Sequence, residues 1–118
     1  MDLALMSAPE SLRIAYLRTV VTVEGRPAAE AVREIGTFWV LTAWNPGSEL
    51  FSDTENAERH QALCACLDEL GHTWLPALGT SPDESWSEES VAVPGIKSRD
   101  AQALGRRFGQ AAVFEVTK

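Results

Sequence analysis

Trp44, Asn45, Ser48, Asn56, Arg59, Trp86, Glu88, Ser90 and Gln110 are the side chains of this chain best suited to orient a polar small molecule. Amides fix a ligand through paired donors and acceptors, a guanidinium grips an anionic group, and an indole stacks on a flat one. In such a constellation Arg59 would hold an anion, Asn45, Asn56 and Gln110 would set orientation, Trp44 or Trp86 would stack, and Glu88 would accept from a donor. Were a reaction to occur there, Glu88 is the one general base that can be named, with Arg59 steadying developing negative charge. No residue is assigned a catalytic role. Most have a plainer reading: Asn45 before Pro46 as a turn residue, Asn56 as packing on the turn loop, Arg59 as a surface partner of Glu55 one turn earlier, Glu88 as part of a solvated acidic loop with Asp83 and Glu84, and the tryptophans as packing anchors.

Other reactive types are poorly spaced. Cys64 and Cys66 lie two apart in a helical pattern, where they cannot bridge, and His60 and His72 are isolated, so no metal site and no cofactor is expected. Gly105 to Gly109 falls within and after a helix rather than between a strand and a helix, so it is no phosphate loop, and no serine stands in a nucleophile elbow.

The elements that would bring these residues together are partly readable. Ser11 to Val23 starts with helical spacing and turns β-branched from Thr19, which predicts a short helix and then a strand; Glu24 to Pro27 breaks it, and Ala28 to Ile35 predicts no more than a connection or helical turn. Phe38 to Ala43 is nearly continuous in apolar character and predicts a strand buried on both faces. Asn45-Pro46-Gly47-Ser48 places proline second and glycine third, the pattern of a type II turn. Ser52 to Glu55 is a capping box that opens a helix carrying His60, Leu63, Cys64, Leu67 and Leu70 as a stripe and ending at Gly71. Thr73 to Leu78 is a strand placed at a sheet edge by Pro76, Gly79 to Ser85 a loop, and Ser90 to Val93 a strand. Ser98 caps a helix with Ala101, Leu104 and Phe108 inward, and Ala112 to Val116 is the last strand.

The order strand, helix, strand, strand, helix, strand predicts an α+β fold with a ferredoxin-like split β-α-β core over residues 37–117, preceded by an extension over 1–36 that adds a helix and an extra strand of open pairing, all in one domain of 118 residues. In that topology the end of the first core strand, the start of the first helix, the second-to-third strand loop and the start of the last strand share one pole. That pole gathers the nine candidate side chains named above.

A net charge of −7 and scattered basic residues argue against nucleic acid. With no basic leader, no long apolar segment and no disulfide geometry, the cytoplasm is the expected compartment, away from any membrane.

Thr42-Ala43-Trp44-Asn45-Pro46, Glu55-Asn56 with Arg59, Trp86 through Glu88-Glu89-Ser90, and Phe108-Gly109-Gln110-Ala111, taken in order, resemble an uncharacterised bacterial family, domain of unknown function 3293. The resemblance spans about Tyr16 to Val116. It implies that these segments recur together as a signature, and it brings no catalytic assignment. Two functions stay open: a domain binding a polar small molecule or nucleotide-like ligand at the sheet end, or an interaction module that meets a protein partner or a second copy through its acidic loop or the edge of its last strand.

Overall fold

The computed structural model describes residues 2–5 and 16–118. Its strands are β1 (Asp2–Leu5), β2 (Val20–Val23), β3 (Arg26–Pro27), β4 (Phe38–Thr42), β5 (Leu75–Thr80), β6 (Ser87–Pro94) and β7 (Ala112–Val116). They form one sheet in the order β1-β7-β4-β6-β5-β2-β3, antiparallel at every pairing. Three α-helices have both ends among the described residues: α1 (Ala28–Ile35), α2 (Asp53–Glu69) and α3 (Ser98–Arg107). The fold is thus mixed α and β, and among the described residues no helix is long and apolar enough to cross a membrane.

β4 is buried on both faces because each face carries a helical layer. Trp39 and Leu41 join Val91, Val93 and Val113 beneath α2 and α3, which contribute Leu63, Cys66, Leu67, Ala101 and Leu104. Phe38 and Val40 join Val21, Val23, Ala77, Ala92 and Val116 beneath α1, which contributes Ala31 and Val32. At roughly 1.5–3 kcal/mol per buried large aliphatic or aromatic side chain, these layers are the main source of cohesion.

The ends of α2 follow local chemistry. Ser52 Oγ accepts from the Glu55 N–H at 3.1 Å while Glu55 reaches back to Ser52, closing the expected capping box. At the other end Gly71 is left-handed, and the N–H groups of Gly71 and His72 return to the Asp68 and Leu67 carbonyls. The buried stripe differs from the expected one: Asn56, Leu63, Cys66 and Leu67 are inside, Cys64 is half-buried, and Leu70 is 57% exposed.

Several expectations need correction. Pro76 does not mark an edge, because β2 pairs with β5 from Val20↔Thr80 to Val23↔Ala77. Pro76 lies one place beyond that ladder, where a missing N–H costs nothing and its carbonyl still accepts from Glu24 N–H at 2.9 Å. The edge of β7 is likewise occupied by β1. Ala28 to Ile35 is a full two-turn helix, and Glu24-Gly25, both left-handed, form the hairpin turn that leads β2 into β3. The turn after β4 closes one residue late, from Glu49 N–H to the Pro46 carbonyl, so Gly47 stands second. Ser98 is the first residue of α3 rather than its cap, and its hydroxyl accepts from Gln102. Of the expected first helix, the part before Tyr16 lies outside the described residues, and Tyr16 and Leu17 are helical.

Candidate functional site

With eight residues, about 12 Å of axis, α1 covers only one end of its sheet face, the end with Phe38 and Val116. The other end is open and holds a cavity of about 340 Å³. Strand register fixes its floor. Thr42 stands opposite Ser90, Ser90 opposite Ala77, and Gly79 opposite both Glu88 and Val21, so Val21, Val40, Thr42, Gly79, Glu88 and Ser90 share that face. Ala112 and Phe114 of β7, Tyr16 and Thr19 before β2, and the mouth residues Leu50 and Trp86 complete the wall, together with Asn45 and Gln110.

Of the nine side chains singled out in the sequence, Asn45, Trp86, Glu88, Ser90 and Gln110 line this cavity. Asn56, Arg59 and the main chain of Trp44 lie behind it and hold its rim. Asn56, 1% exposed, accepts the Asn45 N–H at 2.9 Å and donates to Asn45 Oδ1 at 3.0 Å and to the Phe51 carbonyl at 3.3 Å. Asn45 Oδ1 also accepts from Phe51 N–H at 2.9 Å. Asn45 can meet these partners because it adopts the left-handed conformation (φ 46°, ψ 59°) that asparagine tolerates better than most residues.

Arg59 does not pair with Glu55, whose carboxylate is engaged by Ser52. Its Nε donates to the Ala43 carbonyl at 2.8 Å and its Nη2 to the Phe108 carbonyl, so one guanidinium joins the end of β4 to the end of α3; its face lies 5.9 Å from the Phe51 ring centre. Gln110 Nε2 donates to the Trp44 carbonyl at 2.9 Å, and Gly47 N–H donates to the Gly109 carbonyl at 2.8 Å. Trp44 N–H donates to Thr42 Oγ1 at 3.1 Å, while the indole Nε1 is buried without a partner among the described residues. The side chain of Ser48 lies outside the described residues.

Among the described residues, Glu88 is the carboxylate of the cavity. Asn45 Nδ2 donates to its Oε1 at 3.3 Å, and burial pushes its carboxyl above the ordinary glutamate value, with the Asn45 bond only partly opposing. The sign of the stability effect follows. Well below the ordinary value, 4.5, the group is neutral whether folded or unfolded; as pH rises the unfolded chain ionises first, and the folded protein loses relative stability until its own raised pKa is passed. Glu88→Gln keeps an oxygen for Asn45 and removes this penalty. Its thermal midpoint should exceed that of wild type near neutral pH, with the difference closing as pH falls through the carboxyl range; a difference independent of pH would refute the assignment.

The acidic loop before β6 is built differently. Asp83 is held down to about 2 by hydrogen bonds from the Ser85 hydroxyl and N–H and from Ser81, which keeps it a fixed anion facing water. His60 Nε2 lies 3.0 Å from Glu89 Oε2 and 3.6 Å from Cys64 Sγ. Burial, then Asp68 and Glu89, push the Cys64 thiol up, the reverse of an activated nucleophile. Among the described residues no group of three or more His, Cys, Asp or Glu could hold a metal ion.

Sequence reasoning missed the contribution of Tyr16, Thr19, Val21 and Gly79 to this site. The β-branched run from Thr19 signalled a strand, but nothing local signalled that it would pair with β5. No curated protein and no solved structure matches the chain. A family model described as "Protein of unknown function (DUF3293)" matches residues 41–113, a span that holds Asn45, Asn56, Arg59, Glu88 and Gln110, and the chain belongs to that family.

Proposed function

We propose that this domain binds a small molecule in the cavity on the open end of its sheet. The observation that carries the reading is a largely apolar cavity of about 340 Å³ that holds a half-buried carboxylate on its floor and, at its rim, two amides held in place from behind. That volume is in the range of ligand pockets, and an apolar cleft with a few fixed polar groups is their usual make-up. Glu88 supports it further, since a carboxylate partly withdrawn from water is unfavourable where it stands and gains most from a bound donor.

We read the central β-α-β-β-α-β unit as ferredoxin-like; its strand order β7-β4-β6-β5, antiparallel pairing and placement of α2 and α3 on one face support this. Cys64 and Cys66 as free thiols support a cytoplasmic setting.

The test is a thermal-shift screen of a metabolite library against wild type and Gly79→Leu, which places a side chain on the cavity wall where none exists. Ligands that raise the wild-type midpoint by several degrees should lose that effect in the filled variant. A library that stabilises neither protein, or hits that survive filling, would overturn the reading.

A further inference from the structure

Resting on that reading, we infer that the ligand is an organic cation: a protonated amine or amidine on an apolar body. Among the described residues lining the cavity there is no arginine, lysine or histidine, and Glu88 is the carboxylate. Arg59 turns its Nε and Nη2 to the Ala43 and Phe108 carbonyls and lies outside the lining. An anionic ligand would therefore enter a low-dielectric site beside a like charge with no counter-charge, an arrangement that is heavily unfavourable.

A cation finds the opposite. Asn45 holds Glu88 through Oε1, and among the described residues Oε2 takes no hydrogen bond, so one oxygen of an oriented carboxylate is open to a charged donor. Phe114 and Trp86 add aromatic surface on which a cation or the apolar body can rest. At the mouth Leu50 is 93% exposed and Trp86 41%, apolar area that a hydrocarbon body would cover. The net charge of −7 draws cations toward the molecule and repels anions.

The experiment is calorimetric titration of the full chain with three probes that share one body: 2-phenylethylammonium, 2-phenylethanol and 3-phenylpropanoate. The amine should bind at least about ten-fold more tightly than the alcohol, and the carboxylate should not bind measurably. In Glu88→Gln the amine should fall to the level of the alcohol. In wild type its affinity should also drop as pH is lowered through the titration of Glu88, a dependence that Glu88→Gln should abolish. Equal or tighter binding of the carboxylate or the alcohol overturns the charge assignment while leaving the cavity as a binding site. Failure of all three probes overturns the charge assignment too, and the library screen with Gly79→Leu then decides separately whether the cavity binds anything.

Discussion

Asn56→Ala should lower the unfolding free energy by about 3 kcal/mol, the largest loss expected from any single polar side chain at this pole. The side chain is 1% exposed and acts at once as acceptor for the Asn45 N–H and donor to Asn45 Oδ1 and the Phe51 carbonyl. Truncation leaves the half-buried Asn45 N–H and Phe51 carbonyl without their partner, at roughly 1–3 kcal/mol for each that stays unsatisfied. It also removes the partner that compensates the left-handed backbone of Asn45. For a chain of this size the loss corresponds to a drop of roughly 10 °C in thermal midpoint.

Two further measurements separate bracing from simple cavity creation. Asn45→Ala should cost less than Asn56→Ala, and the double variant should fall short of the sum, because both truncations remove the bond from Asn56 Nδ2 to Asn45 Oδ1. Additive losses, or a loss below about 1 kcal/mol for Asn56→Ala, would contradict the account. The same change should also free Asn45 Nδ2 from its fixed position beside Glu88, so ligand affinity should suffer even in the fraction that remains folded.

How much of this was legible in the chain depends on the range of the interactions. The central strand was readable because Phe38 to Leu41 are all apolar, and a strand buried on both faces has no other pattern to show. The start of α2 was readable because a capping box is complete within four residues. The convergence of Asn45, Asn56, Glu88 and Gln110 followed from strand order alone. The partner of β2 was not readable, because Val20 meets Thr80 across sixty positions and nothing local distinguishes that strand from other β-branched runs.

The partners of Arg59 were not legible for a related reason. A guanidinium in a sequence suggests an anion, but its partners here are main-chain carbonyls of Ala43 and Phe108, and every residue has a carbonyl. The cavity was hidden too, since it arises from the shortness of α1 relative to the sheet, a mismatch between two elements rather than a property of either.

Gly109→Ala should cost about 2–3 kcal/mol, through two separable effects. Gly109 has φ +73°, a left-handed backbone that penalises a side chain by about 1 kcal/mol. Independently, a Cβ there would fall 2.7 Å from Pro46 Cβ and 3.5 Å from Pro46 Cα. A proline cannot rotate out of the way, because its ring is closed onto the backbone, so the turn itself must move. That turn is tied to the same glycine by the 2.8 Å bond from Gly47 N–H to the Gly109 carbonyl, and moving it shifts Asn45 at the cavity rim. Gly95→Ala supplies the comparison: its φ of +76° is nearly the same, yet nothing lies within 4 Å of its added Cβ. Measured by urea unfolding, Gly95→Ala should show the backbone penalty alone, and Gly109→Ala should exceed it by about 1–2 kcal/mol. Equal losses would mean that the turn yields freely, and that the close approach of Pro46 to Gly109 does not hold the rim of the site.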